Sequence, residues 1–139
     1  MGNKTYDNNQ ITSNVLNDPA VRYNKAHNGL SKSEFLSIVA ESGLNLTEFS
    51  ALLPVSKRTI EKVKDQELLS PQVSDRVLQI ATLYQFGSEV LGSTNSFKEW
   101  VHSPLLALGG ESPLSYMDSE TGLSLINETL GRIAYGIYS

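Results

Sequence analysis

The sequence predicts an all-α protein, a helix-turn-helix unit followed by a small helical C-terminal domain. Three observations carry this. Apolar residues recur three and four positions apart, and no stretch reads as a sheet apart from a short extended tail at Ile137-Tyr138. Serines stand where helices need a cap, at Ser31, Ser56, Ser70 and Ser119. Glycine or proline punctuates the predicted elements, at Gly43, Pro54, Pro71, Gly92 and Gly136.

Taken in order, residues 1–30 are polar and Asn-rich, with only scattered apolar positions, and are expected to be a flexible arm. Residues 31–92 form the expected helix-turn-helix domain. Ser31 and Glu34 make a capping box for a helix bearing Phe35, Leu36, Ile38 and Val39, which stops at Gly43. Thr47 is the expected cap of a short second helix over 48–53, broken by Pro54. Ser56 caps a third helix reaching Val63. Ser70-Pro71 opens a helix of about 20 residues, to Leu91, that joins the two halves. Gly87 in its middle marks either a close helix crossing or a small kink. Residues 93–139 form the second domain. Ser96 is expected to cap a short helix with Phe97, Trp100 and Val101. An apolar loop, Leu105 to Leu108, closes at Gly109-Gly110, and Ser112-Pro113 starts a further turn. Ser119 opens the last helix, whose stripe is Leu123, Ile126, Leu130 and Ile133.

Composition limits what such a chain can do. Its 139 residues fit one domain, or a small domain with arms, and 40% apolar content supports a modest core. A net charge of −4 argues against coating nucleic acid but leaves room for a local basic patch. Cysteine is absent, and the two histidines, His27 and His102, lie too far apart for metal-ligand spacing. No window is long and apolar enough for a membrane span, and the first ten residues have no secretory apolar run. Gly2 is followed by no myristoylation pattern. A cytoplasmic protein without bound metal or cofactor is expected.

The third helix carries the clearest local charge. Lys57, Arg58, Lys62 and Lys64 stand against Glu61 alone between Ser56 and Lys64. Ser56, Lys57, Arg58, Thr59 and Lys62 are the candidate DNA-binding residues, through side chains and the helix-start amides. Solvation of an exposed helix accounts for the same lysines, and Asp65 and Glu67 nearby oppose phosphate. An enzyme is not expected, because the sequence carries no nucleophile elbow, P-loop, zinc motif or dinucleotide fingerprint. Glu111, Asp118 and Glu120 read as a solvated surface, His102 as a helix-end contact. Gly109-Gly110 lacks a neighbouring cation and reads as a sharp turn. Trp100 reads as the core aromatic beneath that loop.

The run Trp100-Val101-His102-Ser103-Pro104, then Leu105 to Leu114 with Gly109-Gly110 inside it, then Asp118 to Gly122, then Leu130-Gly131-Arg132-Ile133-Ala134-Tyr135-Gly136-Ile137-Tyr138-Ser139, resembles the C-terminal domain of the Xre/MbcA/ParS antitoxin family. Upstream, Leu53 to Ile60 resembles the family's recognition region, and Leu69-Ser70-Pro71 with Ser74 to Val77 resembles its entry to the long helix. The small departures are Leu105 after Pro104, where Asn is usual, and Lys62 or Val63 where an arginine is usual. The likeness spans roughly residues 31–139. It implies a bacterial antitoxin that holds a RES-domain, NAD-depleting toxin inactive through the C-terminal domain. It also implies a homodimer, alone or within a larger toxin–antitoxin complex, that represses its own operon by binding operator DNA. The cofactor chemistry belongs to the toxin. Arg132, Tyr135, Tyr138 and Ser139 are the candidate toxin-binding residues, with Trp100, Leu108, Leu123, Ile126 and Leu130 as scaffold. Two other readings remain at this point: a stand-alone regulator whose C-terminal domain only dimerises, and a plasmid-partition accessory protein.

Overall fold

The computed structural model describes residues 13–136, all in helices and turns apart from one isolated bridge between Ser31 and Leu68. Eight α-helices follow in chain order. They are α1 Ser13–Asn17, α2 Pro19–Asn28, α3 Lys32–Ser42, α4 Leu46–Ser50, α5 Lys57–Glu61, α6 Pro71–Leu91, α7 Thr94–Val101 and α8 Glu120–Ala134. Two 3₁₀ turns, Leu106–Leu108 and Pro113–Tyr116, lie between α7 and α8.

The long helix α6 is the beam against which α1, α2, α3, α7 and α8 all pack. Ser70 caps its start, Pro71 fits its first turn, and left-handed Gly92 ends it. Val77 and Ile80 on its inner face are fully buried, as are Phe35, Phe49, Phe97, Ile126 and Leu130 from the surrounding helices. One continuous core therefore serves both halves. Gly87 is there for a crossing. A Cβ on it would lie 2.1 Å from two ring carbons of Phe97, so only the bare backbone lets α7 approach. Phe97 also meets Tyr84 edge to face, with ring centroids 4.5 Å apart.

Several expectations need correction. Part of the expected arm is helical: Asp18 caps α2 through Ala20 N–H and Val21 N–H, with Pro19 at its first position. Leu16, Ala26 and Leu30 bury their side chains, and Leu30 is tied to the start of α6. Its N–H donates to Ser74 Oγ at 2.8 Å, and its carbonyl accepts from Leu69 N–H at 2.7 Å. Residues 1–12 lie outside the described residues. Helix α4 is capped by Asn45, not Thr47, because Asn45 pairs reciprocally with Glu48 in a capping box. Helix α7 is capped by Ser93, not Ser96, and starts at Thr94. Helix α5 ends at Glu61 rather than Val63, where Lys62 closes it and Glu67 accepts from Lys64 N–H. Trp100 is only half-buried, stacked on Phe97, which is the true core aromatic. The expected extended tail at Ile137-Tyr138 lies outside the described residues.

Candidate functional site

Two surfaces collect the candidate residues. The first is the turn from α4 to α5. Ile60 buries the inner side of α5 at 1% exposure, which turns Lys57, Arg58, Thr59 and Lys62 toward solvent. The polar groups there are partly engaged with each other. Ser56 Oγ accepts from Thr59 N–H at 3.1 Å and lies 2.9 Å from Thr59 Oγ1. Lys57 Nζ donates to Thr47 Oγ1 at 2.9 Å and stands 3.8 Å from the Glu61 carboxylate. All five of Ser56, Lys57, Arg58, Thr59 and Lys62 are thus exposed around this turn and short helix. Three of them, Ser56, Lys57 and Thr59, also hold the turn together. Lys32, which sequence reasoning passed over, joins this face by donating to the Glu61 carbonyl at 3.1 Å. Its only signal was a lysine at the start of the preceding helix.

The second surface is the end of α8 with the loop before it. Leu123, Ile126 and Leu130 bury one side of α8. Gly122 lies under the preceding turn so closely that a Cβ would come within 1.6 Å of the Tyr116 carbonyl oxygen. That contact fixes the helix start against residues 113–119. The far end of α8 points outward. Arg132 is exposed, 3.8 Å from Glu128 one turn back, and Tyr135 is 82% exposed. Tyr138 and Ser139 lie outside the described residues.

Two polar links join the halves. Arg76 of α6 donates through Nη1 to the Leu52 carbonyl and to the Asp118 carbonyl, each at 2.9 Å. His102, at the end of α7, lies 2.7 Å through Nδ1 from the Lys98 carbonyl and 3.0 Å through Nε2 from Glu48 Oε2. Only the imidazolium can donate to both. The Lys98 carbonyl first, and then the Glu48 carboxylate, raise the His102 pKa above its ordinary value. The same hydrogen bond from His102, with help from Asn45 N–H, lowers that of Glu48. His102 is thus a helix-end contact as the sequence suggests, but its second partner lies 54 residues away.

Among the described residues, no three His, Asp or Glu side chains converge to hold a metal, and no helix is long and apolar enough to cross a membrane. A 350 Å³ cavity lined by Leu16, Ile38, Ala81 and Tyr84 contains none of the candidate residues of either surface.

Comparison with known proteins bears on both surfaces. Residues 22–81 match the antitoxin Xre-like helix-turn-helix domain, and residues 87–136 match the antitoxin Xre/MbcA/ParS C-terminal toxin-binding domain. A "Prs ADP-ribosylating antitoxin" from Sphingobium is 24% identical over 131 residues, covering 87% of this chain and 82% of that protein. An "Antitoxin Xre" from Pseudomonas putida is 26% identical over 100 residues, covering 67% of this chain and 63% of that protein. A second "Antitoxin Xre", from Yersinia enterocolitica, is 25% identical over 71 residues, half of this chain and 48% of that protein. Among solved structures, a chain of the M. tuberculosis MbcT–MbcA toxin–antitoxin complex shares the fold. Its TM-score is 0.58 at 18% identity, covering 78% of this chain and 96% of that one. With both domains matched in order along a single α6 beam, the chain belongs to the Xre/MbcA/ParS antitoxin family, a family of binding and regulatory proteins rather than enzymes.

Proposed function

We propose that this chain neutralises a RES-type, NAD-consuming toxin by direct binding through residues 93–139, and represses its own operon through the helix-turn-helix within residues 31–92. The observation that carries the toxin-binding half is the end of α8, where buried Ile126 and Leu130 hold up exposed Arg132 and Tyr135. A large aromatic and an arginine at the end of a helix docked on the core are the residue types that anchor protein interfaces. The chemistry of the partner rests on resemblance. The Sphingobium relative is named for ADP-ribosylation, a reaction that consumes NAD, and the P. putida relative is an Xre antitoxin. In this reading Arg132 and Tyr135 grip the toxin, and Tyr138 and Ser139 continue into its substrate pocket.

The operator-binding half uses Arg58 and Lys62 for phosphate, with Ser56, Lys57 and Thr59 shaping the face. A homodimer matches the two-fold symmetry of an operator. A face carrying several lysines with few fixed bidentate contacts favours backbone-dominated, salt-sensitive binding.

The decisive experiment is co-expression with the product of the adjacent gene. The full chain should co-purify with the toxin and restore growth. A chain cut after Arg132 should do neither, and full protection by that truncation would refute the role given to the terminal residues. A mobility shift on the chain's own promoter tests the other half, where no salt-sensitive shift with or without toxin would remove the repressor role.

A further inference from the structure

Leu106 is 96% exposed, more than any other large apolar side chain among the described residues. Isolated surface leucines are ordinary, but this one is held in place rather than left at a loose tip. Leu108 N–H donates to the Leu105 carbonyl, Gly109 N–H to Leu106, Gly110 N–H to Leu105, and Glu111 N–H to Leu108. Leu105 N–H closes the base onto the Glu111 carbonyl at 3.1 Å. Leu108 is buried, and the Tyr116 hydroxyl donates to its carbonyl at 3.3 Å. Gly109 and Gly110 both take left-handed backbone, at φ 68° and 87°. The loop therefore sinks one leucine into the core and projects its near neighbour into water, flanked by exposed Pro104 and Ala107. It contributes nothing to the fold through Leu106. A leucine so placed gains free energy only when another surface covers it.

Two facts select the cover. The loop lies inside the matched toxin-binding domain, residues 87–136. The two most exposed large apolar side chains among the described residues, Leu106 and Tyr135, both belong to that domain. We infer that Leu106 is a second anchor for the toxin, seated in an apolar pocket on the toxin surface and independent of the terminal segment. This rests on the toxin-binding reading above.

The test uses the full-length chain and the purified toxin from the adjacent gene, with affinity read by calorimetry. Leu106→Glu should weaken binding by about 30-fold or more, the size of an interface hot spot, with an unchanged melting temperature. Leu68→Glu, an exposed leucine outside the domain, should bind as wild type does. If wild type binds and Leu106→Glu binds equally well, the anchor is refuted while toxin binding stands. Equal weakening by both substitutions also refutes it, because the effect is then general. If Leu106→Glu lowers the mass of the free protein in solution, the leucine contacts a second copy instead, and the inference fails. If wild type does not bind the toxin at all, the functional reading fails and takes this inference with it.

Discussion

The α4–α5 face and the α8 end are built in opposite ways. On the first, polar side chains turn partly inward. Ser56 and Thr59 bond each other, Lys57 reaches Thr47, and Lys32 reaches the Glu61 carbonyl. Arg58 and Lys62 stand exposed beside them, with Asp65 and Glu67 following in the chain. On the second, Arg132 and Tyr135 stand exposed at the end of α8, and Leu106 stands exposed on a preceding turn held by its own backbone hydrogen bonds. A spread of charge suits a long polyanion, whose affinity sums many small contacts. A few rigid knobs suit one shaped protein surface, where single residues dominate. The contrast predicts that substitutions on the first face act gradually and depend on salt, while those on the second act abruptly and do not.

Three experiments would break or sharpen that contrast. The largest effect is expected from Gly122→Ala. Its methyl would lie 1.6 Å from a backbone oxygen that has no side-chain freedom to yield. Overpacking of this kind typically costs about 1–3 kcal/mol, against about 1 kcal/mol returned by better helix propensity. Urea unfolding should show a net loss, and toxin binding should fall while operator binding persists. Loss of both activities together would mean the two surfaces are not separable. A smaller and graded effect is expected from Arg58→Ala and Lys62→Ala. Each should weaken operator binding and lower the slope of log affinity against log salt by about one, leaving toxin affinity unchanged. A single substitution that abolished the shift outright would argue for a dominant base contact instead.

The smallest effect concerns the link between the halves. His102 has its pKa raised, so its contribution is fully present below its ordinary 6.5 and is lost as pH rises through the higher folded value. Glu48 has its pKa lowered, so its contribution is present above its ordinary 4.5 and is lost as pH falls through the lower folded value. The stability difference between wild type and His102→Ala should therefore be greatest between those two pH values and shrink on either side of them. Both side chains are about a third exposed, at 37% and 35%, so the amplitude should be only a few tenths of a kcal/mol. A difference that stays flat well below and well above that range would show that the contact is packing and not charge.

Much of the fold was legible because its signals are local. The capping box of Ser31 and Glu34, the Ser70-Pro71 start and the Ser119 cap each sit within four residues and each was found. The two misplaced caps arose where two capable side chains stand close together, Asn45 near Thr47 and Ser93 near Ser96, and only the three-dimensional turn decides between them. Helices α1 and α2 were missed although Asp18-Pro19 is a start signal, because so few of their residues bury apolar surface that no stripe forms. Among the candidate site residues, Arg132 and Tyr135 stand exposed, as a contact role requires. The links through Arg76 and through His102 to Glu48 were invisible, since their partners lie 24 to 54 residues away in the chain. Leu106 could be read only as one of an apolar run. Which leucine of such a run faces inward depends on the hydrogen bonding of the turn.

The sharing of α6 has a consequence for how such proteins diversify. The matched domains meet between residues 81 and 87, and by sequence alone that is the boundary at which one domain would be exchanged for another. In space the seam lies elsewhere. Leu123 and Asn127 of α8 line one cleft with Gln79, Thr82 and Leu83, and Arg76 holds the Asp118 carbonyl. A chimera joined at the sequence boundary would set the incoming α8 against a foreign helix face. The structural unit that carries the C-terminal surface is thus larger than the matched domain, and it includes the face of α6 from Arg76 to Leu83.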